Sequence, residues 1–135
     1  MIYLDSCAMV KLLVPEPESG SLDEHLADHN RRGVQAISSE LSVTEVLRAL
    51  IRLGVDKDVH DEADAMLRGY ATLPLGPVLV SAGRLPQPDL RSLDALHVAT
   101  AQLLGPAVSQ FITYDKRLAR FASAAGLPVV MPGVD

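Results

Sequence analysis

Four acids in this chain stand where a carboxylate can do more than face water: Asp5, Glu45, Asp94 and Asp115. Asp5 and Asp115 each follow a short apolar run, IYL and FIT, and each precedes a segment of helical composition. A side chain at such a junction lies outside the carboxyl end of a parallel sheet, where helix amides open toward a crevice and reactive groups gather. Glu45 falls early in SSELSVTEVLRALIRLG, and Asp94 in the first turn of LDALHVATAQLLG. Drawn together, four carboxylates form an all-oxygen donor set that suits a hard divalent cation such as Mg²⁺. Arg48 and Arg52 share the side of their helix with Glu45, away from Val43, Leu47 and Leu50. That pattern suits a metal-and-phosphate surface, and it equally suits a solvated ion pair.

Each acid also has a local explanation. Asp is a favoured N-cap residue, so Asp5 and Asp115 could do no more than cap, although Ser6 could cap in place of Asp5. Ser42 and Glu45 have capping-box spacing, yet Ser38 and Ser39 are the better start signals for that helix. Asp94 favours the helix macrodipole. His97 reads as structural, because a soft-metal site needs more nitrogen or sulfur than its surroundings offer. Cys7, without a partner thiol or histidine, reads as packing against the sheet.

The elements that must position these residues follow from hydrophobic pattern and breakers. Short strands are expected at Ile2–Leu4, Val34–Ile37, Gln110–Thr113 and Val129–Met131. Helices are expected after Asp5 to Pro15, over Ser21–Arg32, from Ser38–Ser39 to Gly54, over Asp56–Leu73, from Ser92 to Gly105 and over Lys116–Ala125. The stretch between Pro74 and Leu90, punctuated by Pro and Gly around VLVSAG, reads as loop with a short element. Strands alternating with helices imply a mostly parallel sheet covered on both faces, a three-layer α/β/α sandwich.

Residues 1–135 read as a single domain, since 48% apolar residues suffice for a core of that size. The lone cysteine excludes an internal disulfide and points to the cytoplasm. The opening MIYLDSCAMVKLL lacks the pattern of a signal peptide, and no run approaches membrane-spanning length, so no membrane association is expected. A net charge of −5 argues against coating nucleic acid through the overall field, while leaving room for a carboxylate-bound metal site.

The strings YLDSCAMVKL, SSELSVTEVLRAL, LRSLDALHVATA and FITYDKRLARFA, in this order and spacing, resemble the PIN-domain family, specifically the VapC toxins of bacterial toxin–antitoxin pairs. The resemblance runs from residue 2 to about residue 130. It implies that Asp5, Glu45, Asp94 and Asp115 bind metal, with supporting hydroxyls at Ser6 and Thr113. Glu45 is preferred to Glu40 because the family glutamate precedes a turn of the type EVLRAL. The implied activity is endonucleolytic RNA hydrolysis with one or two Mg²⁺ or Mn²⁺ ions. Lys11, Arg48, Arg91, Lys116 and Arg117 are the expected RNA contacts.

The implied partners are RNA, a VapB-like antitoxin and a second copy in a homodimer. Cys7 stands where the family usually has Ser or Asn, and residues 74–89 are compressed. The alternative is a catalytically inactive PIN-like module that binds RNA or protein, which usually shows as replacement of one or more acids. A haloacid-dehalogenase-type phosphatase needs an acid where Cys7 stands, and a phosphoreceiver domain needs an acidic pair that is missing.

Overall fold

Ile2–Leu4 (β1) is buried at every position, as a strand paired on both edges and covered on both faces must be. The computed structural model describes residues 1–135. In it β1 pairs in parallel with β2 (Ala36–Ser39) and with β4 (Gln110–Ile112). The edges are β3 (Ala71–Leu73) and β5 (Val129–Val130), giving the order β3-β2-β1-β4-β5 with every pairing parallel.

Alternation along the central strands sorts the core into two layers. Ile2, Leu4 and Ile112 face one side, where they pack with Met9 and Leu13 of α1 (Ser6–Leu13), Leu22 of α2 (Ser19–Arg31), Val46 and Leu50 of α3 (Leu41–Leu53) and Ala63 of α4 (Lys57–Gly69). Tyr3 and Phe111 face the other, stacked at 5.1 Å, against Val98 and Ala101 of α6 (Ser92–Leu104) and Leu118 and Ala122 of α7 (Lys116–Ala124). The short α5 (Leu79–Gly83) lies on α6 through Val78, Ala82, Ala95 and Ala99. This is the expected three-layer α/β/α sandwich. No helix is long and apolar enough to cross a membrane.

The chain winds outward from β1 through β2 to β3, then returns to the other side of β1 to build β4 and β5. The strand order therefore reverses between β1 and β4, and the crevice of an α/β sheet opens at the carboxyl ends of such a pair. Asp5 follows β1 there, and Thr113 and Asp115 follow β4.

Two expectations change, and the short element expected between Pro74 and Leu90 takes form. The helix expected over Asp56–Leu73 ends at Gly69, and Ala71–Leu73 forms an edge strand; three residues on a largely exposed edge carry too little pattern to be seen. β2 is Ala36–Ser39, so Ser38 and Ser39 end a strand. The helix after them starts at Leu41, with Glu40 in the N-cap position and no side-chain cap. In the Pro-rich stretch, VLVSAG supplies the last residue of a short 3₁₀ turn and the whole of α5.

Candidate active site

Capping accounts for part of what Asp5 and Asp115 do. Asp5 Oδ1 accepts from the Ala8 amide at 2.9 Å, and Asp115 Oδ1 accepts from the amides of Arg117 at 2.8 Å and Leu118 at 3.1 Å. In each case the second oxygen serves something else. Thr113, the hydroxyl expected to support the site, donates to Asp5 Oδ2 and accepts from the Asp115 amide at 3.1 Å, tying the two strand ends together. Cys7 Sγ lies 3.1 Å from both Asp5 oxygens and accepts from the Tyr114 amide at 3.3 Å. The thiol therefore lines the site instead of packing against the sheet. Burial and the neighbouring Asp5 charge push its pKa up, so it remains a protonated donor.

Asp5 is only 3% exposed. Burial pushes its carboxyl above the ordinary carboxylate value, and His97, Thr113, the Ala8 amide and Cys7 offset that only in part. No Lys or Arg pairs with it.

The capping-box explanation of Glu45 does not hold. Ser42 is buried with its hydroxyl 2.7 Å from that of Ser38, which in turn donates to the Leu4 carbonyl at 2.6 Å. Glu45 Oε1 instead meets His97 Nε2 at 2.6 Å. A carboxylate can only accept, so Nε2 carries the hydrogen; the other ring nitrogen, Nδ1, lies 2.7 Å from the Tyr3 hydroxyl. Burial, with the charge of Asp5, keeps that phenol protonated. His97 is structural, as expected, but what it holds is Glu45. The rival Glu40 is engaged elsewhere, accepting from the Leu75 amide at 2.7 Å.

Asp94 and Asp115 are joined by one guanidinium. Arg91 Nε lies 3.1 Å from Asp94 Oδ2, and its Nη2 lies 3.4 Å from Asp115 Oδ2. All four acids, with Ser6, Cys7, Arg91 and His97, line one cavity of about 330 Å³. As they stand, no three His, Cys, Asp or Glu side chains are arranged to hold a metal ion; Arg91 lies against Asp94 and Asp115, and His97 against Glu45. The chemistry of the set still fits a hard divalent cation: the carboxylates supply only oxygen, and a buried, unpaired Asp5 is the kind of charge a cation relieves.

A groove of about 1050 Å³ adjoins this cavity and shares Ser6, Cys7, Glu45, Leu93 and Asp115 with it. Arg48, Arg52 and Lys116 line the groove and make no ion pair. Two of the expected RNA contacts are committed otherwise. Arg117 donates to the Asp89 carbonyl at 2.6 Å. Lys11 bonds Glu16 and Glu18, each at 2.8 Å, lies 4.5 Å from the Tyr114 ring centre and has a side chain 6% exposed. Burial opposes its charge, and the two glutamates outweigh that, holding its pKa above the ordinary lysine value.

Lys11→Met should accordingly lower the melting temperature by a few degrees, read by differential scanning fluorimetry. RNA affinity should then fall no further than the unfolded fraction explains. A large loss of affinity in a fully folded variant would restore Lys11 as a direct RNA contact.

Sequence reasoning missed the roles of His97 and Cys7. One signal was present for His97: it follows Asp94 by three residues, the spacing that places two side chains on one helix face. None marked Cys7.

Comparison with known proteins gives the family. The PIN domain family model matches residues 2–124. Ribonuclease VapC46 of Mycobacterium tuberculosis (strain ATCC 25618 / H37Rv) is 42% identical over 135 residues, covering 97% of each chain. Ribonuclease VapC47 of Mycobacterium tuberculosis (strain CDC 1551 / Oshkosh) is 36% identical over 134 residues, and Ribonuclease VapC35 of the same strain 38% over 136, each alignment covering 98% of both chains. With relatives this similar along nearly their whole length, and a family model that spans all four acids, the chain belongs to the PIN-domain family.

Proposed function

We propose that this chain is a divalent-metal-dependent endoribonuclease, the VapC-type toxin of a toxin–antitoxin pair. The observation that carries the reading is that Asp5, Glu45, Asp94 and Asp115, distant in sequence, line one small cavity beside a groove edged by unpaired cations. The named ribonucleases among its relatives support the same activity.

In this reading Asp5 is the central ligand, because it stands on the most rigid support in the site and Thr113 fixes its orientation. His97 keeps the Glu45 carboxylate turned into the cavity. Asp94 and Asp115 complete the donor set from α6 and the β4–α7 junction. Mg²⁺, or Mn²⁺ in its place, supplies polarisation of the scissile phosphate and a more acidic water. Arg48 and Lys116, which line the groove without an ion pair, neutralise the RNA backbone and set its register. A VapB-like antitoxin, homodimer formation and action in the cytoplasm complete the proposal and rest on family membership.

Mg²⁺ or Mn²⁺ should raise the melting temperature of the purified protein and support cleavage of total RNA, with EDTA reversing both. Asp94→Asn should blunt the thermal shift. Equal shifts in the two proteins would count against a metal at Asp94, and cleavage that survives EDTA would remove the metal from the proposal.

A further inference from the structure

We propose that Arg91 is a built-in counter-cation, holding Asp94 and Asp115 in the metal-free chain and turning from them to an RNA phosphate when the divalent site fills. The proposal rests on the nuclease reading above.

Four carboxylates line a cavity of about 330 Å³, and Arg91 is the one Lys or Arg among its lining residues. Like charges so placed repel, and a nearby opposite charge offsets that repulsion. Arg91 is built to supply it. Its two contacts go to two different acids from two different nitrogens, so it bridges the α6 acid to the β4–α7 acid instead of forking onto one. Asp94, with a side chain only 13% exposed, cannot rely on water for the same service.

The hold is also loose enough to release. Contacts of 3.1 and 3.4 Å exceed the roughly 2.7–2.9 Å of a strong charge-assisted bond. The Arg91 side chain is 61% exposed, whereas that of Lys11, fixed at 2.8 Å between its two glutamates, is 6% exposed. The backbone beneath Arg91 is anchored: the residue takes the N-cap position of α6 in extended conformation without capping it, and Arg117 holds the preceding loop through the Asp89 carbonyl.

As placed, the acids offer no arrangement of three ligands to a metal. Arg91 sits on the Oδ2 atoms of both Asp94 and Asp115, so it competes with the cation for those oxygens. Once released, its planar fork stays at the mouth of the cavity, where the group it matches is the phosphate that must approach the metal.

The test measures Mn²⁺ affinity by calorimetry on wild type, Arg91→Ala and Arg91→Lys, without RNA. Arg91→Ala should bind Mn²⁺ roughly 2- to 30-fold more tightly, the range expected from losing two ion pairs to a well-exposed guanidinium as competitors. Arg91→Lys should fall between. In Ca²⁺, used to hold RNA without cutting it, Arg91→Ala should lower the slope of log affinity against log salt by about 1. Unchanged or weaker Mn²⁺ binding in Arg91→Ala overturns the counter-cation role, and an unchanged salt slope overturns the phosphate role. If wild type itself neither binds Mn²⁺ nor cuts RNA, the nuclease reading fails and takes this proposal with it. If wild type does both, failure of the variant arms counts against Arg91 alone.

Discussion

Asp5→Asn should reduce RNA cleavage by about 10³-fold or more, the scale expected when several kcal/mol of metal-borne transition-state stabilisation is lost. The same substitution should make the metal-free protein more stable. Burial raises the Asp5 carboxyl above its ordinary value of 3.8, so the native state favours the protonated acid. Stability from such a group is complete below the unfolded pKa and is lost as pH rises through the folded one. At neutral pH the metal-free wild type has incurred that loss, and asparagine, which cannot ionise, has not. In EDTA at pH 7 the variant should therefore melt higher; a gain of about 1 kcal/mol corresponds to roughly 3–6 °C for a chain of this size. The gap should close as pH falls toward about 4. Adding Mg²⁺ should reverse the order by raising wild type alone. A variant that melts lower in EDTA, by the same margin at every pH, would mean that ionised Asp5 supports the fold without a metal.

His97→Leu should have two separable consequences. It leaves the Tyr3 hydroxyl, on a residue 0% exposed, without its His97 partner and takes the only side-chain donor from Glu45. A buried hydroxyl that loses one partner while Thr100 and Ser39 remain beside it costs about 0.5–1.5 kcal/mol, visible in urea denaturation. Glu45, no longer held toward the cavity, should lower cleavage about 10- to 100-fold, as loss of a group that orients a metal ligand typically does. The double variant Tyr3→Phe/His97→Leu removes that hydroxyl and should recover part of the stability but none of the cleavage. Recovery of both would reduce His97 to a packing residue, and wild-type cleavage in a folded His97→Leu would show that Glu45 needs no such support.

Much of the architecture was legible because it rests on local signals. IYL before Asp5 and FIT before the TYD turn are short apolar strands meeting polar junctions, and the parallel class follows from their alternation with helices. β3 was not legible: Ala71–Leu73 pairs with Ile37–Ser39 across a sheet edge, and nothing within three mostly exposed residues records that pairing. The start of α3 was misplaced for a related reason. Ser38 and Ser39 have the chemistry of helix caps, yet Ser38 is taken up by the Leu4 carbonyl of the neighbouring strand.

By itself the sequence determined which acids are present, that Asp5 and Asp115 sit at strand ends, and that a metal there would meet oxygen. Those properties belong to residue types and their immediate neighbours. Only the tertiary structure decided that Glu45 points at His97 instead of its own helix end, that Cys7 turns to Asp5, that Lys11 is bound to Glu16 and Glu18, and that Arg91 spans two acids. The physical reason is that a hydrogen bond or ion pair goes to whichever partner folding brings within about 3 Å, and for Glu45 and for Arg91 at Asp115 that partner comes from another element.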